Sequence, residues 1–280
     1  MIQEFTVKSL NNKKVMLESF ANVSEVVETC QRRKITDSCF DDKTKGDYKG
    51  EFEGVENYQD ALDLLQHGYQ PIVERMKGDI KANLSGNGKR ISFHNDVVGY
   101  APIVPLALQG VPTSMQNSYM KPIKAKVVDV YYDMTVAWHV SSSDIIKAGI
   151  KLLSAILELE MQGFRFNLYS VQSYTDSKTA DMMCVKVKSS NTPLDLKRIS
   201  FPTAHTAFFR VIGFDWYSKC PKAKYRSGYG HALSYDFSQE EMTKGFSEMF
   251  DKKCVVFAAK EIIDKDVEYL KGVLKSGEKI

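Results

Sequence analysis

The feature that most constrains this chain is the run over residues 125–174, which reads strand, long helix, strand. Residues 125–133 are β-rich and mostly apolar, as a strand buried on both faces must be. Ser141-Ser142-Ser143-Asp144 then supplies candidate helix caps. Behind it Ile145, Ile146, Ala148, Gly149, Leu152, Leu153, Ile156, Leu157 and Leu159 recur at a spacing that places apolar side chains nearly all around a helix. Gly163 stops that helix, and residues 164–174 read as the next strand. A strand, a buried crossover helix and a second strand make a βαβ unit, for which a right-handed crossover is expected.

The rest of the C-terminal half extends this unit. Residues 182–188 and 254–259 read as further strands, and helical segments are expected near 194–198 and 206–214. Residues 239–250 read as a helix with Ser238 as cap and Glu241 completing a capping box, and residues 266–274 as a closing helix. The expected class is therefore α/β, a Rossmann-like, largely parallel sheet flanked by helices over residues 120–280. A mixed α+β region over residues 1–119 precedes it. There a helix is expected over 23–33 behind Asn22, and another from Asn57 to its stop at Gly68. A third should open with Pro71 at its first position. Residues 41–54 read as an exposed loop, residues 85–90 as a turn, and glycine and proline breakers argue against a long element in 103–112.

Composition narrows the setting. A hydrophobic fraction of 43% supports a sizeable core, and a net charge of +3 is too small to argue for nucleic acid without a local basic patch. The most apolar stretch is interrupted by Lys147, Lys151, Ser154 and Glu158, short of the ~18 uncharged apolar residues of a membrane span. The start of the chain lacks the basic and apolar regions of a signal peptide, and the five scattered cysteines form no C-x-x-C pair. Both observations lead us to expect a cytoplasmic protein with reduced thiols and no membrane partner.

The order strand, Asp-led loop, long helix, strand resembles a von Willebrand A-like domain. In that family an Asp-x-Ser-x-Ser motif follows the first strand and holds a metal with a Thr and an Asp from later loops. The matching run here is Asp133-Met134-Thr135-Val136-Ala137. Asp133 and Thr135 match, with Thr203 or Thr206 and Asp215 as candidates for the remainder, but Ala137 offers no oxygen to a hard cation. The expectation is no metal and no cofactor, with Asp133 capping a strand end. Shorter runs carry a second resemblance. Phe52-Glu53-Gly54-Val55-Glu56-Asn57-Tyr58-Gln59-Asp60-Ala61-Leu62 with Gly68-Tyr69, then Gly99-Tyr100, Leu108-Gln109-Gly110-Val111-Pro112 with Met115, and His205-Thr206-Ala207-Phe208-Phe209-Arg210 resemble an uncharacterised phage-encoded family. That resemblance implies a phage or prophage origin, hence the cytoplasm of an infected cell, and brings no reaction with it.

No Ser-His-Asp, Cys-His or H-E-x-x-H arrangement is legible, so the expectation is a binding protein and not an enzyme. His67, His94, His139, His205 and His231 lie far apart and read as structural or surface residues. Gly86-Asn87-Gly88-Lys89-Arg90 lacks phosphate-loop spacing. The most suggestive segment is 216–231. Its cations Lys219, Lys222, Lys224 and Arg226 alternate with Trp216, Tyr217, Tyr225 and Tyr229, and no acid intervenes before Asp236. Read as a loop, it suits single-stranded nucleic acid, with cations on phosphates and aromatics stacked on bases. The alternative is a solvated basic loop whose aromatics pack inward. Function is thus expected to be single-stranded nucleic-acid binding in phage DNA or RNA transactions. The other reading is a protein-interaction adaptor using the top of the A-like domain.

Overall fold

The computed structural model describes residues 2–83, 91–120, 126–223 and 229–277. From the N-terminus, β1 (Ile2–Val7) and β2 (Lys13–Phe20) form an antiparallel hairpin, followed by α1 (Val23–Arg32). Asn22 caps α1 by accepting from the Glu25 N–H. The expected loop over 41–54 carries a small hairpin instead, β3 (Asp47–Phe52) and β4 (Val55–Asn57). Next come α2 (Tyr58–His67), closed at its start by an Asn57–Asp60 capping box, and α3 (Gln70–Asn83). Between them Gly68 sits at φ +80°, where a Cβ would stand 1.7 Å from the Lys197 carbonyl oxygen, so only glycine fits. The turn expected at residues 85–90 lies outside the described residues.

An arm follows: β5 (Ile91–Asp96), β6 (Ala101–Pro102), the short helix α4 (Val104–Leu108) and β7 (Met115–Met120), paired in the order β5-β7-β6. The main body resumes with β8 (Lys126–Asp133), α5 (Ser142–Met161), β9 (Phe164–Thr175) and β10 (Thr179–Lys188). Then come α6 (Leu196–Ala204), a π-helical segment over Phe208–Gly213, and α7 (Phe214–Lys219). The chain closes with α8 (Gln239–Phe250), β11 (Val255–Ala258), α9 (Ala259–Ile262) and α10 (Val267–Ser276).

The α/β class holds, in the form of a six-stranded mixed sheet ordered β1-β2-β10-β9-β8-β11. β9 pairs in parallel with β8, and so does β11, as the βαβ reading requires. β10 runs antiparallel to β9 because the connection between them is a tight turn, which cannot accommodate a parallel crossover. The sheet is accordingly less parallel than expected. β2 pairs in parallel with β10, so the N-terminal hairpin extends the sheet of the C-terminal half. Phe20, Val26, Leu62 and Ile72 share one apolar cluster with Ile145, Leu153 and Phe208. Residues from both sides of position 119/120 therefore contribute to that cluster.

Helices cover both faces. α5 buries Leu152, Leu153 and Ile156 completely, each burial contributing ~1.5–3 kcal/mol. Gly149 lets α5 meet α6 closely, since a Cβ there would lie 2.4 Å from the Thr203 carbonyl oxygen. On the opposite face, Met242 and Phe246 of α8 pack with Leu10, Tyr131, Met182 and Val256. Among the described residues, no helix is long and apolar enough to cross a membrane.

Candidate interaction surface at the carboxyl edge of the sheet

β8, β9 and β11 are parallel, so they end on the same edge of the sheet. From β8 the chain enters α5 on one face, whereas α8, on the other face, leads into β11. After β11 the chain returns to the α5 face, where α9 and α10 pack against α5, so β8 and β11 both lead from this edge into the same helical layer.

Asp133 ends β8 and is fully buried. Its Oδ1 accepts from the Thr135 N–H at 3.0 Å and its Oδ2 from the Ser173 hydroxyl at 2.6 Å. Thr135 Oγ1 accepts from the Ser173 N–H at 2.8 Å, and Ser173 Oγ accepts from the Leu233 N–H at 3.0 Å. This cluster ties β8, β9 and the 233 segment together. Burial pushes the Asp133 carboxyl up to about 6, against the hydrogen bonds from Ser173 and Thr135 that lower it. These residues do not fit a hard-cation site. Both Asp133 oxygens are held by protein donors and Ala137 carries no side-chain oxygen. Thr203 donates to the Ile199 carbonyl inside α6, and Asp215 belongs to an ion pair elsewhere in the core. Among the described residues, no three His, Cys, Asp or Glu side chains come together.

The raised pKa has a direct consequence. A carboxyl whose folded pKa exceeds its unfolded value of ~3.9 contributes stability that is complete below pH ~4. That contribution is lost as pH rises through 6. Up to about 3 kcal/mol is involved. Asp133→Asn cannot titrate, so its stability relative to wild type should improve between pH 4.5 and pH 7 in urea unfolding. An identical difference at both pH values would mean that Asp133 titrates normally.

The loop leaving Asp133 is pinned at several points. The Met134 N–H donates to the Val171 carbonyl, the Ala137 N–H to the Tyr235 hydroxyl at 3.2 Å, and Met134 and Val136 are buried. Arg210 donates to the Trp138 carbonyl at 3.3 Å. On this anchored loop the Trp138 side chain is 88% exposed, with the His139 ring edge-on beside it. A fully presented indole on a held backbone is unusual, because a surface tryptophan ordinarily covers apolar surface of its own chain. In the sequence its only sign was a tryptophan between an apolar strand and a helix cap.

The 216–231 segment is organised differently from the expected loop. Residues Phe214–Lys219 are helical and face the core. Trp216 is buried with its Nε1 donating to Glu18 at 2.8 Å, and Tyr217 is buried against Tyr174 with ring centroids 4.5 Å apart. Lys219 is buried too, its Nζ 2.7 Å from Asp215 Oδ1 and donating to the Cys30 carbonyl at 2.8 Å. Tyr229 stacks on Phe214 with centroids 4.4 Å apart. These four side chains present no face to a base or phosphate. Lys222 is exposed and pairs with Glu4 at 2.6 Å. Lys224, Tyr225 and Arg226 lie outside the described residues. The physical reason for the difference is that the balancing acids, Glu4, Glu18 and Asp215, come from outside the segment or from the helical turn before it. His205 is structural as expected. Burial lowers its pKa, Nδ1 accepts from the Ala207 N–H, and Nε2 therefore donates to the Glu53 carbonyl at 2.8 Å.

Sheet, helical layers and edge together define an α/β protein whose candidate surface lies at the carboxyl edge of its parallel strands. The chain belongs to the family described as a domain of unknown function, DUF7192, whose profile matches residues 6–266. No curated protein and no solved structure matches the chain.

Proposed function

We propose that this chain is a phage-encoded adaptor that makes no covalent chemistry and recognises a protein partner through the carboxyl edge of a von Willebrand A-like sheet. The observation that carries the reading is Trp138, exposed on a loop fixed by Tyr235, Arg210 and the β9 backbone. An aromatic of this size is the residue type most often dominant at protein interfaces, and a loop already held loses little entropy on binding. The A-like reading is supported by the strand order β10-β9-β8-β11, in which β10 alone runs antiparallel to the other three, and by Asp133 at the end of β8. The phage origin rests on the runs at 52–62, 108–112 and 205–210. Burial of Trp216, Tyr217, Lys219 and Tyr229 weighs against nucleic acid as the main ligand.

A photo-crosslinking amino acid in place of Trp138 tests this in the cells that make the protein. The expected result is a discrete protein adduct that survives nuclease and is absent when the crosslinker replaces exposed Thr192 instead. Adducts to nucleic acid, or equal labelling from both positions, would overturn the proposal.

A further inference from the structure

The arm over residues 91–120 has a composition unlike the rest of the chain. It contains one acid, Asp96, one histidine and neither Lys nor Arg, in a protein of which 26% is charged. Register places Ile91 opposite Met120 at its root and Asp96 opposite Met115 at its far end, so residues 97–114 form the tip. Val97, Val98, Tyr100, Val104 and Leu108 are all exposed there, Leu108 at 83% and Val98 at 73%. Over residues 94–117, where the side chains are described, none is buried. A three-stranded sheet whose described side chains, over residues 94–117, are all unburied is marginal in water, because strand pairing needs an apolar face covered by something. The tip presents on the order of 500 Å² of apolar side chain, at the upper end of what a monomer exposes.

We infer that the arm tip is a self-association surface, covered in solution by the tip of a second copy of this chain. Charge selects that occupant. Asp96 is the one carboxylate beside the tip and is hydrogen-bonded to His94 at 3.3 Å, so two tips meeting about a twofold axis bring at most a single pair of like charges together. An unlike protein would ordinarily be specified by complementary charges on the rim, and an anionic lipid surface by Lys or Arg beside the apolar residues. The tip has neither feature. Size agrees as well, since two such tips together bury about the 1,000 Å² that a specific interface needs. This inference goes beyond the adaptor reading and does not depend on it, because Trp138 lies on the loop between β8 and α5, outside the arm.

Sedimentation velocity of the full chain from about 1 to 200 µM, with Kd in the micromolar range expected for an interface of this size, decides the matter. The wild type should shift from its monomer mass of 31.7 kDa towards twice that value. A Val98→Asp/Leu108→Asp variant should remain monomeric at every concentration, with unchanged circular dichroism and thermal midpoint because both positions are exposed. Val98→Ala/Leu108→Ala, which adds no charge, should weaken the dimer at least tenfold. A wild type that stays monomeric throughout would overturn the inference. So would a dimer that survives the Asp variant, or a monomer whose tip instead binds neutral phosphatidylcholine vesicles.

Discussion

Leu153→Asp is expected to eliminate soluble, cooperatively folded protein. Leu153 is fully buried on the face of α5 that packs against the sheet, among Ile145, Leu152, Ile156 and their neighbours in the main cluster. The substitution removes an apolar side chain worth ~1.5–3 kcal/mol and places a carboxylate within a buried apolar cluster. Against a net stability of ~5–15 kcal/mol, a cost of several kcal/mol from each source exhausts the margin. The measurement is the soluble fraction on expression, followed by a urea transition on whatever is recovered. A soluble variant with a sharp transition near the wild-type midpoint would contradict the buried-helix assignment. Leu153→Met, which keeps volume, should cost less than ~1.5 kcal/mol and shows that position 153 tolerates change of the right kind.

The second large effect falls on Lys219. Lys219→Ala is expected to cost about 3–5 kcal/mol, because it leaves Asp215 buried without its cation. Tyr58 would still donate to Asp215 Oδ2 at 2.6 Å, but a phenol does not neutralise the charge. Burial already raises the Asp215 pKa, against Lys219 and Tyr58 that lower it, and losing Lys219 removes the larger opposing influence. Replacing both partners by apolar residues, Lys219→Met with Asp215→Leu, should recover most of the loss, since a buried pair is often no more stabilising than well-packed hydrocarbon. Urea midpoints of the single and double variants provide the check. A Lys219→Ala protein as stable as wild type would return Lys219 to the surface role that its sequence neighbours suggest.

That contrast shows where the sequence was informative. The α5 helix was legible because its caps, its apolar spacing and its stop are local and agree with one another, as are the caps of α1, α2 and α8. Pairings set by distant segments were not legible. That β2 would join β10 depends on contacts some 160 residues apart. Trp216, Tyr217 and Tyr229 likewise owe their burial to Glu18, Tyr174 and Phe40, and Lys219 lies against Cys30 and Tyr58, all of them distant in the chain. An alternation of cations and aromatics has the same appearance in sequence whether it faces water or the core. Trp138 posed the reverse difficulty: nothing local distinguishes an indole left outside from one folded in. Asp133 was placed correctly at a strand end, but its partner Ser173 lies on the neighbouring strand.

The central claim is that the carboxyl edge around Trp138 is the binding face and that its ligand is a protein. It is tested most directly by comparing wild type, Trp138→Ala and the combined Lys222→Ala, Lys224→Ala and Arg226→Ala variant, each immobilised at equal density. All three are presented with nuclease-treated extract of the producing cells and, separately, with a labelled single-stranded oligonucleotide at low salt. The account predicts one discrete protein retained by the wild type and the triple variant, with retention reduced by roughly tenfold or more in Trp138→Ala. Oligonucleotide binding that is lost in the triple variant, together with protein capture unaffected by Trp138→Ala, would contradict it.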